Sequence, residues 1–285
     1  MAKLSKNPTV SVIIPTHNRG WILKDAIDSV LAQDYTDYEL IVVDDGSTDN
    51  TRQILDSYGR DIAVVQQPNR GVSAARNRGI DASRGGLIAF LDSDDLWLPQ
   101  KLSRQVDFFK TNPAALICQT EETWVRNGVR VNPKRRHQKL SGMIFEPSLA
   151  LCLVSPSAVM IRKTLFEAVG RFDERLPACE DYDLWLRVSC RYPVFLIDEP
   201  LIIKRGGHAD QLSRAAGLDR YRIQALQNLI VAGRLSEAQK LAAMKTLQQK
   251  STIYAGGCRK RGRQAEADYY EALAEKFQRI MDGGS

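Results

Sequence analysis

Four short apolar runs between residues 10 and 110, each followed by a segment with helical spacing, constrain this chain more than any other feature. VSVII (residues 10–14) precedes Ile22, Leu23, Ala26, Ile27, Val30 and Leu31, which share one helical face. ELIVV (39–43) runs into DDGSTDNTRQILDSYG, where Ser47, Thr48 or Asp49 can cap a helix that Gly59 ends. IAVVQ (62–66) precedes GVSAARNRGIDAS, and GLIAFL (86–91) precedes LPQKLSRQVDFFK. Strands that are apolar on both faces and separated by helices predict an α/β fold with a parallel sheet covered on both sides. In such sheets ligands bind at the carboxyl ends of the strands.

After Pro113 the rhythm changes. ALICQT and TWVRNGVRV predict a strand and a hairpin turning at Asn127-Gly128. The basic loop PKRRHQK precedes an apolar stretch over residues 143–154. SAVMIRK predicts a strand, TLFEAVG a short helix, EDYDLWLRVSCRY a helix, and VFLIDEPLIIKR one or two strands. From about Leu218 onward there is no strand candidate, and the pattern is that of two or three amphipathic helices. The expected division is residues 1–215, with a nucleotide-binding half over 8–112 and an acceptor half over 113–215, followed by a helical C-terminal subdomain over 216–285.

The residues that end these strands carry the chemistry. Asp44-Asp45-Gly46-Ser47 follows the second run, and Asp92-Ser93-Asp94-Asp95 follows the fourth. A parallel sheet puts both sets on one edge, so five carboxylates are expected near one crevice. Asp, Ser and Gly also make ordinary turns after strands. Three acids directly after a six-residue apolar run are better explained by a hard divalent cation, Mn²⁺ or Mg²⁺. Such an ion takes carboxylate oxygens and completes its shell with phosphate and water.

The motifs VSVIIPTHNR, IVVDDGSTD, GVSAARNRG, FLDSDDLWLP and CEDYDLWLR, in this order, resemble the family 2 glycosyltransferases of GT-A fold over roughly residues 8–210. The resemblance implies a Rossmann-like mixed, mainly parallel sheet and transfer of a sugar, with inversion, from a nucleotide diphosphate donor, UDP above all, to an acceptor hydroxyl. By motif position it places Pro15, Thr16, Asn18, Asp44, Asp45, Arg76, Asp92, Ser93 and Asp94 against the nucleotide sugar. Gly71 would let the backbone approach it. Asp94, Asp95 and His208 would hold the metal, and Asp181 would be the base, with Glu180 and Asp183 as competitors. Trp97 packs beneath the site or in the core. Arg205, Gln211 and Ser213 are expected in a glycine-flanked loop closing over the donor.

A net charge of +6 and a pI near 9.1 favour anionic partners. The basic stretches VRNGVRVNPKRRHQK and CRKRGR are solvated runs or face an anionic, lipid-linked acceptor at a membrane surface. They lack interleaved aromatics, so no nucleic-acid partner is expected. Five scattered cysteines, the absence of an apolar leader and the absence of a spanning window point to a reducing, cytoplasmic setting, with a homodimer allowed. Two enzymatic rivals fit less well. A nucleotidyltransferase would carry a glycine-rich basic loop where this chain has PTHNRGW, and an aspartyl phosphatase would carry its acids after the first strand. A non-catalytic sugar-nucleotide-binding module would not need the full acidic set.

Overall fold

The computed structural model describes residues 7–208, 211 and 217–283. The four apolar runs form β1 (Val10–Thr16), β2 (Tyr38–Asp44), β3 (Ala63–Gln66) and β4 (Leu87–Phe90). Between them lie α1 (Leu23–Leu31), α2 (Thr51–Asp56) and α3 (Val72–Ala82). All three pairings among these strands, β1 with β2, β1 with β4 and β2 with β3, are parallel. The spatial order is β3-β2-β1-β4, so the chain leaves β1 in one direction and returns past it to build β4 in the other. That reversal leaves a cleft beyond the carboxyl ends of β1 and β4, where α/β sheets bind ligands. On the sheet, α3 sits close enough that a Cβ added at Gly79 would lie 2.4 Å from Cγ2 of Ile13, so only glycine fits.

The second half extends the sheet with strands of both senses. It contains β5 (Leu96–Trp97), α4 (Lys101–Thr111), β6 (Ile117–Arg126), β7 (Val129–Val131), α5 (Phe145–Ala150), β8 (Val159–Arg162), α6 (Leu165–Val169), α7 (Glu180–Ser189) and β9 (Phe195–Gly206). The order continues β4-β8-β6-β9-β5, with β7 hydrogen-bonded to β6. The sheet is mixed: β8 runs antiparallel to β4 and β6, whereas β6 and β9 are parallel. The hairpin turns at Asn127 and Gly128, both with positive φ (49° and 77°), as a tight two-residue turn requires. The segment expected as one or two strands is one strand whose register slips opposite Glu121, where Pro200 supplies no N–H to the ladder.

The tail forms α8 (Leu218–Val231), α9 (Glu237–Lys260) and α10 (Gln264–Met281). α9 starts with reciprocal bonds, Gln239 N–H to Ser236 Oγ and Ser236 N–H to Gln239 Oε1. Ile223, Leu226, Leu247 and Phe277 of this tail share one apolar cluster with Phe145 of α5 and Tyr182 and Leu186 of α7. The helical extension is thereby anchored to the helix that begins at Glu180. Among the described residues no helix is long and apolar enough to cross a membrane, and all five cysteines are free thiols.

Trp97 belongs to the core, where its indole N–H donates to the carbonyl of Ser157. Beneath its ring lies the fully buried Lys101, with Nζ 3.8 Å from the ring centroid and bonded to Gln105 Oε1 at 2.6 Å. The ring favours the cation, but burial outweighs it and pulls the Lys101 amine down to about 7. Between pH 7 and 10 the unfolded chain holds a proton there that the folded chain has lost, so stability rises with pH. A component of about 2 kcal/mol is expected between pH 7 and 9 at ~1.4 kcal/mol per pKa unit. Urea midpoints of wild type and Lys101→Met at the two pH values check this. Identical pH slopes would refute it.

Candidate active site

The cleft is a crevice of about 700 Å³. Its walls come from the loop after β1, the end of β2, the start of α3, the acid motif after β4, the start of α7 and the end of β9. At one end, Pro15, Thr16, Asn18 and Asp45 line it, as does His17, which the sequence did not single out. The hydroxyl of Thr16 is buried and has no hydrogen-bond partner among the described residues, a group a ligand could satisfy. Asn18, at φ 52°, ties two loops together: its N–H donates to Ser47 Oγ, and its Oδ1 accepts from Thr48 N–H. One ring nitrogen of His17 bonds the carbonyl of Asp45 at 3.0 Å.

The two aspartates after β2 have different duties. Asp45 is buried and accepts from Gln67 Nε2, Arg70 N–H and Gly71 N–H at 2.7 to 2.9 Å, which pins the turn into α3. Gly71 is needed there for its φ of 89°; a side chain at that position would meet nothing within 4 Å. Asp44 does not line the crevice. Its carboxylate accepts from Ser47 N–H at 3.0 Å, because the strand alternation that aims Asp45 at the cleft turns Asp44 into the loop. The five expected carboxylates therefore become four at the crevice.

Those of the acid motif are held by a frame of fixed donors. Asp92 gives one oxygen to Arg76 at 2.7 Å, and its N–H donates to Ser157 Oγ. Asp95 is buried with both oxygens engaged, one by Arg205 N–H at 2.9 Å and one by the Ser157 hydroxyl at 2.6 Å. Asp94 lies 3.5 Å from Arg19 Nη1, and its carbonyl accepts from Arg205 Nε. Ser93 also lines the crevice. Burial, and then the crowding of like charges, holds the Asp94 and Asp95 carboxyls above the ordinary range. His208 packs edge-on against Trp21 at 4.9 Å and is close enough to Asp94 to favour its anion. Gln211 accepts from Gly207 N–H, and Ser213 lies outside the described residues.

Arg76 lines the crevice, as expected, and is also an ion-pair partner within it. The guanidinium, 3% exposed, bonds Glu180 at 2.5 Å and Asp92 at 2.7 Å and lies over Phe172. Burial disfavours its charge, but the two carboxylates more than compensate and raise its pKa. It clamps the acid motif to the first turn of α7.

That first turn carries three acids, with Glu180 and Asp183 towards one side and Asp181 about 100° or more away from both, and the fold separates them. Glu180 is buried on Arg76, and Asp183 pairs with Arg187 at 2.6 Å, one turn along. Asp181 lines the crevice, with Oδ1 accepting its neighbour's N–H from Tyr182 at 2.7 Å and Oδ2 3.6 Å from Cys152 Sγ. Trp185, one turn on, is wholly in the core against Phe172.

Lys204, unremarked in the sequence, also reaches the crevice. Burial works against its charge, but Glu122, Asp95, Asp92 and Asp181 prevail and raise its pKa. Its place on β9 next to Arg205 was the available signal, since a strand ending beside the acid motif must present cations to it.

A divalent cation fits this site in one form. Among the described residues no three His, Cys, Asp or Glu side chains converge into a closed cage. Asp92 and Asp94 do face the crevice, and their crowding is the repulsion that an ion sharing its shell with substrate phosphates would relieve.

Known proteins bear on this arrangement. A model of the family described as glycosyl transferase family 2 matches residues 11–170. An uncharacterized glycosyltransferase of Rickettsia typhi is 34% identical over 224 residues, covering 76% of this chain and 69% of that protein. Among solved structures, S. aureus TarS 1–349 in complex with UDP-GlcNAc superposes with a TM-score of 0.69 at 19% identity, covering 95% of this chain and 92% of that one. The mannosyltransferase PcManGT of Pyrobaculum calidifontis, in complex with GDP-Man and Mn²⁺, gives 0.56 at 17%, covering 99% and 85%. At these identities the two structures establish a shared fold.

Proposed function

The chain belongs to glycosyl transferase family 2, and from that premise we propose an inverting enzyme in which Asp181 takes the proton of an acceptor hydroxyl as the sugar leaves a nucleoside diphosphate. The observation that carries this reading is the separation of the three acids on the first turn of α7. Glu180 and Asp181 both line the crevice into which the acid motif opens, but Arg76 holds Glu180 and Arg187 holds Asp183, so that among the described residues Asp181 is the one of the three in no salt bridge.

The donor's nucleotide belongs at the end formed by Pro15, Thr16, Asn18 and Asp45, with Ser93 and Asp92 towards the sugar-bearing phosphates. UDP is the donor nucleotide favoured, since TarS binds UDP-GlcNAc on the same fold. Asp94, with Asp92 and His208 beside it, would hold Mn²⁺ or Mg²⁺; Asp95 serves mainly through Ser157 and the Arg205 backbone. Bound there, the cation would neutralise charge developing on the leaving diphosphate. Lys204 stands beside the same carboxylates and keeps the net charge of the emptied crevice tolerable. A rigid frame of this kind positions groups before reaction, which is where such enzymes gain most of their rate.

Incubation with Mn²⁺ and a panel of nucleotide sugars should release the nucleoside diphosphate, faster with the right acceptor, and the anomeric configuration of the product by NMR tests inversion. Release of pyrophosphate instead, or of nothing from every donor, would overturn the proposal. Asp94→Ala is expected to weaken Mn²⁺-dependent UDP binding by 10- to 100-fold, about 1.4 to 2.8 kcal/mol. Calorimetric titrations unchanged by this substitution would remove Asp94 from the metal site.

A further inference from the structure

Beyond Asp181 the crevice continues to a second end, formed with the help of the helical tail. Its walls there are largely apolar, from Cys152, Pro177, Ala178, Tyr182 and Leu218. The cation that the tail adds to them is Arg222 of α8. We propose that Arg222 makes this end a subsite for an anionic group on the acceptor, a carboxylate or a phosphate carried next to the hydroxyl that Asp181 deprotonates. The inference rests on the crevice being the glycosyl-transfer site and adds to that reading the charge of the acceptor.

Three observations support it. First, the guanidinium is underused. Nη1 bonds Asp219 at 3.0 Å, three residues earlier on the same helix, while Nε is buried and has no hydrogen-bond partner among the described residues. An i, i+3 pair on a helix is worth only about 0.2–0.5 kcal/mol and does not by itself explain a buried, unsatisfied Nε. The planar fork of an arginine is suited to two-point contact with a carboxylate or phosphate.

Second, Arg222 does not have its carboxylate partner to itself. Lys250 of α9 lies 3.9 Å from the same Asp219 oxygen and donates to the carbonyl of Ala150 at 3.0 Å. Two cations thus share one carboxylate. No thiolate makes up the difference, because burial pushes the Cys152 thiol well above its ordinary range and that of Cys179 up to about 12. An anion on the acceptor would give the guanidinium a partner of its own and would itself be paired on entering among apolar walls.

Third, the position suits an acceptor. The Cys179 thiol, one residue before α7, feels both the Arg222 cation and the Asp181 carboxylate, so the two charges flank the same short stretch of wall. The donor's phosphates are assigned to the other side of Asp181, at the acid motif, so they do not occupy this end. Arg222 also lies outside residues 11–170, in the helical tail. The apolar cluster shared by α8, α9, α10 and α7 fixes it there, which gives the tail a role in acceptor choice.

The test uses the whole chain saturated with UDP and Mn²⁺, titrated by NMR with four probes. Methyl β-glucuronide carries a carboxylate and glycerol 3-phosphate a phosphate, while methyl β-glucoside and glycerol are their neutral counterparts. At least one anionic probe is expected to bind 10-fold or more tightly than its neutral counterpart, and which one identifies the acceptor's group. Arg222→Gln should remove that preference and leave UDP affinity unchanged. Asp219→Asn, which frees the guanidinium and keeps its charge, should tighten the anionic probe severalfold. Equal binding of charged and neutral probes, or a preference that survives in Arg222→Gln, would overturn the subsite. A wild-type chain that fails to bind UDP with Mn²⁺ would instead strike at the glycosyl-transfer reading itself.

Discussion

Asp181→Asn is expected to lower kcat by two to four orders of magnitude while the affinity for UDP with Mn²⁺ stays within about threefold, the range that loss of a general base produces. The amide is the same size, and its oxygen can still accept the Tyr182 N–H, so α7 should keep its start. What is lost is the ability to take a proton. Because the proton comes from the acceptor, the loss should appear in kcat and not in donor binding. Asp183→Asn, which sits on Arg187 away from the crevice, should retain most activity and serves as the control. Turnover of Asp181→Asn near the wild-type rate, or a collapse of donor affinity with kcat intact, would remove Asp181 from the role of base.

Arg76→Met should destabilise the fold by about 3 to 5 kcal/mol, the cost of breaking a buried ion pair by deleting one partner. Methionine fills much the same volume, so the effect is electrostatic: Glu180 would be left buried with an uncompensated charge, and Asp92 would lose its guanidinium hydrogen bond at 2.7 Å. At about 2 to 4 °C per kcal/mol the melting temperature should fall by roughly 10 °C. Adding Glu180→Gln should recover part of the loss by removing the stranded charge. Arg76→Lys should recover only part of the loss despite its like charge, because one ammonium cannot serve two carboxylates on opposite sides as a planar guanidinium does. Urea midpoints for the three variants check the sequence of effects. A fall in midpoint below about 1 kcal/mol for Arg76→Met would mean that the clamp is not a structural one. Activity should disappear in the same variant, since the acid motif and the base would no longer be held together.

How much of this was readable beforehand differs from residue to residue. FLDSDDLWLP announced itself because an apolar run that stops at three acids is unusual under any structure, and those acids do face or frame the crevice. DDGS gave the same sign, yet only Asp45 reaches the cleft; which of two adjacent acids points inwards depends on where the strand's alternation ends. EDYD presented three candidates within one turn. Helical spacing sets Asp181 apart from Glu180 and Asp183, and only the neighbouring elements say which direction is the crevice. Ser157, which braces both Asp92 and Asp95, and Arg222 carried no sequence signal, since a serine beside a strand and an arginine on an amphipathic helix are ordinary.

The sequence by itself determined the parallel first half, the hairpin at Asn127-Gly128, the helical tail and the set of residues from which a site could be drawn. These follow from apolar period, turn chemistry and caps, which act within a few residues of the chain. The tertiary structure decided the use of those residues: Arg76 between Asp92 and Glu180, 16 and 104 positions away, Asp95 under the backbone of Arg205, 110 positions away, and Arg222 at the mouth beyond Asp181. Contacts of that separation are set by strand order and by the shared core beneath α7. A buried charge, once placed, must find its partner wherever in the chain it lies.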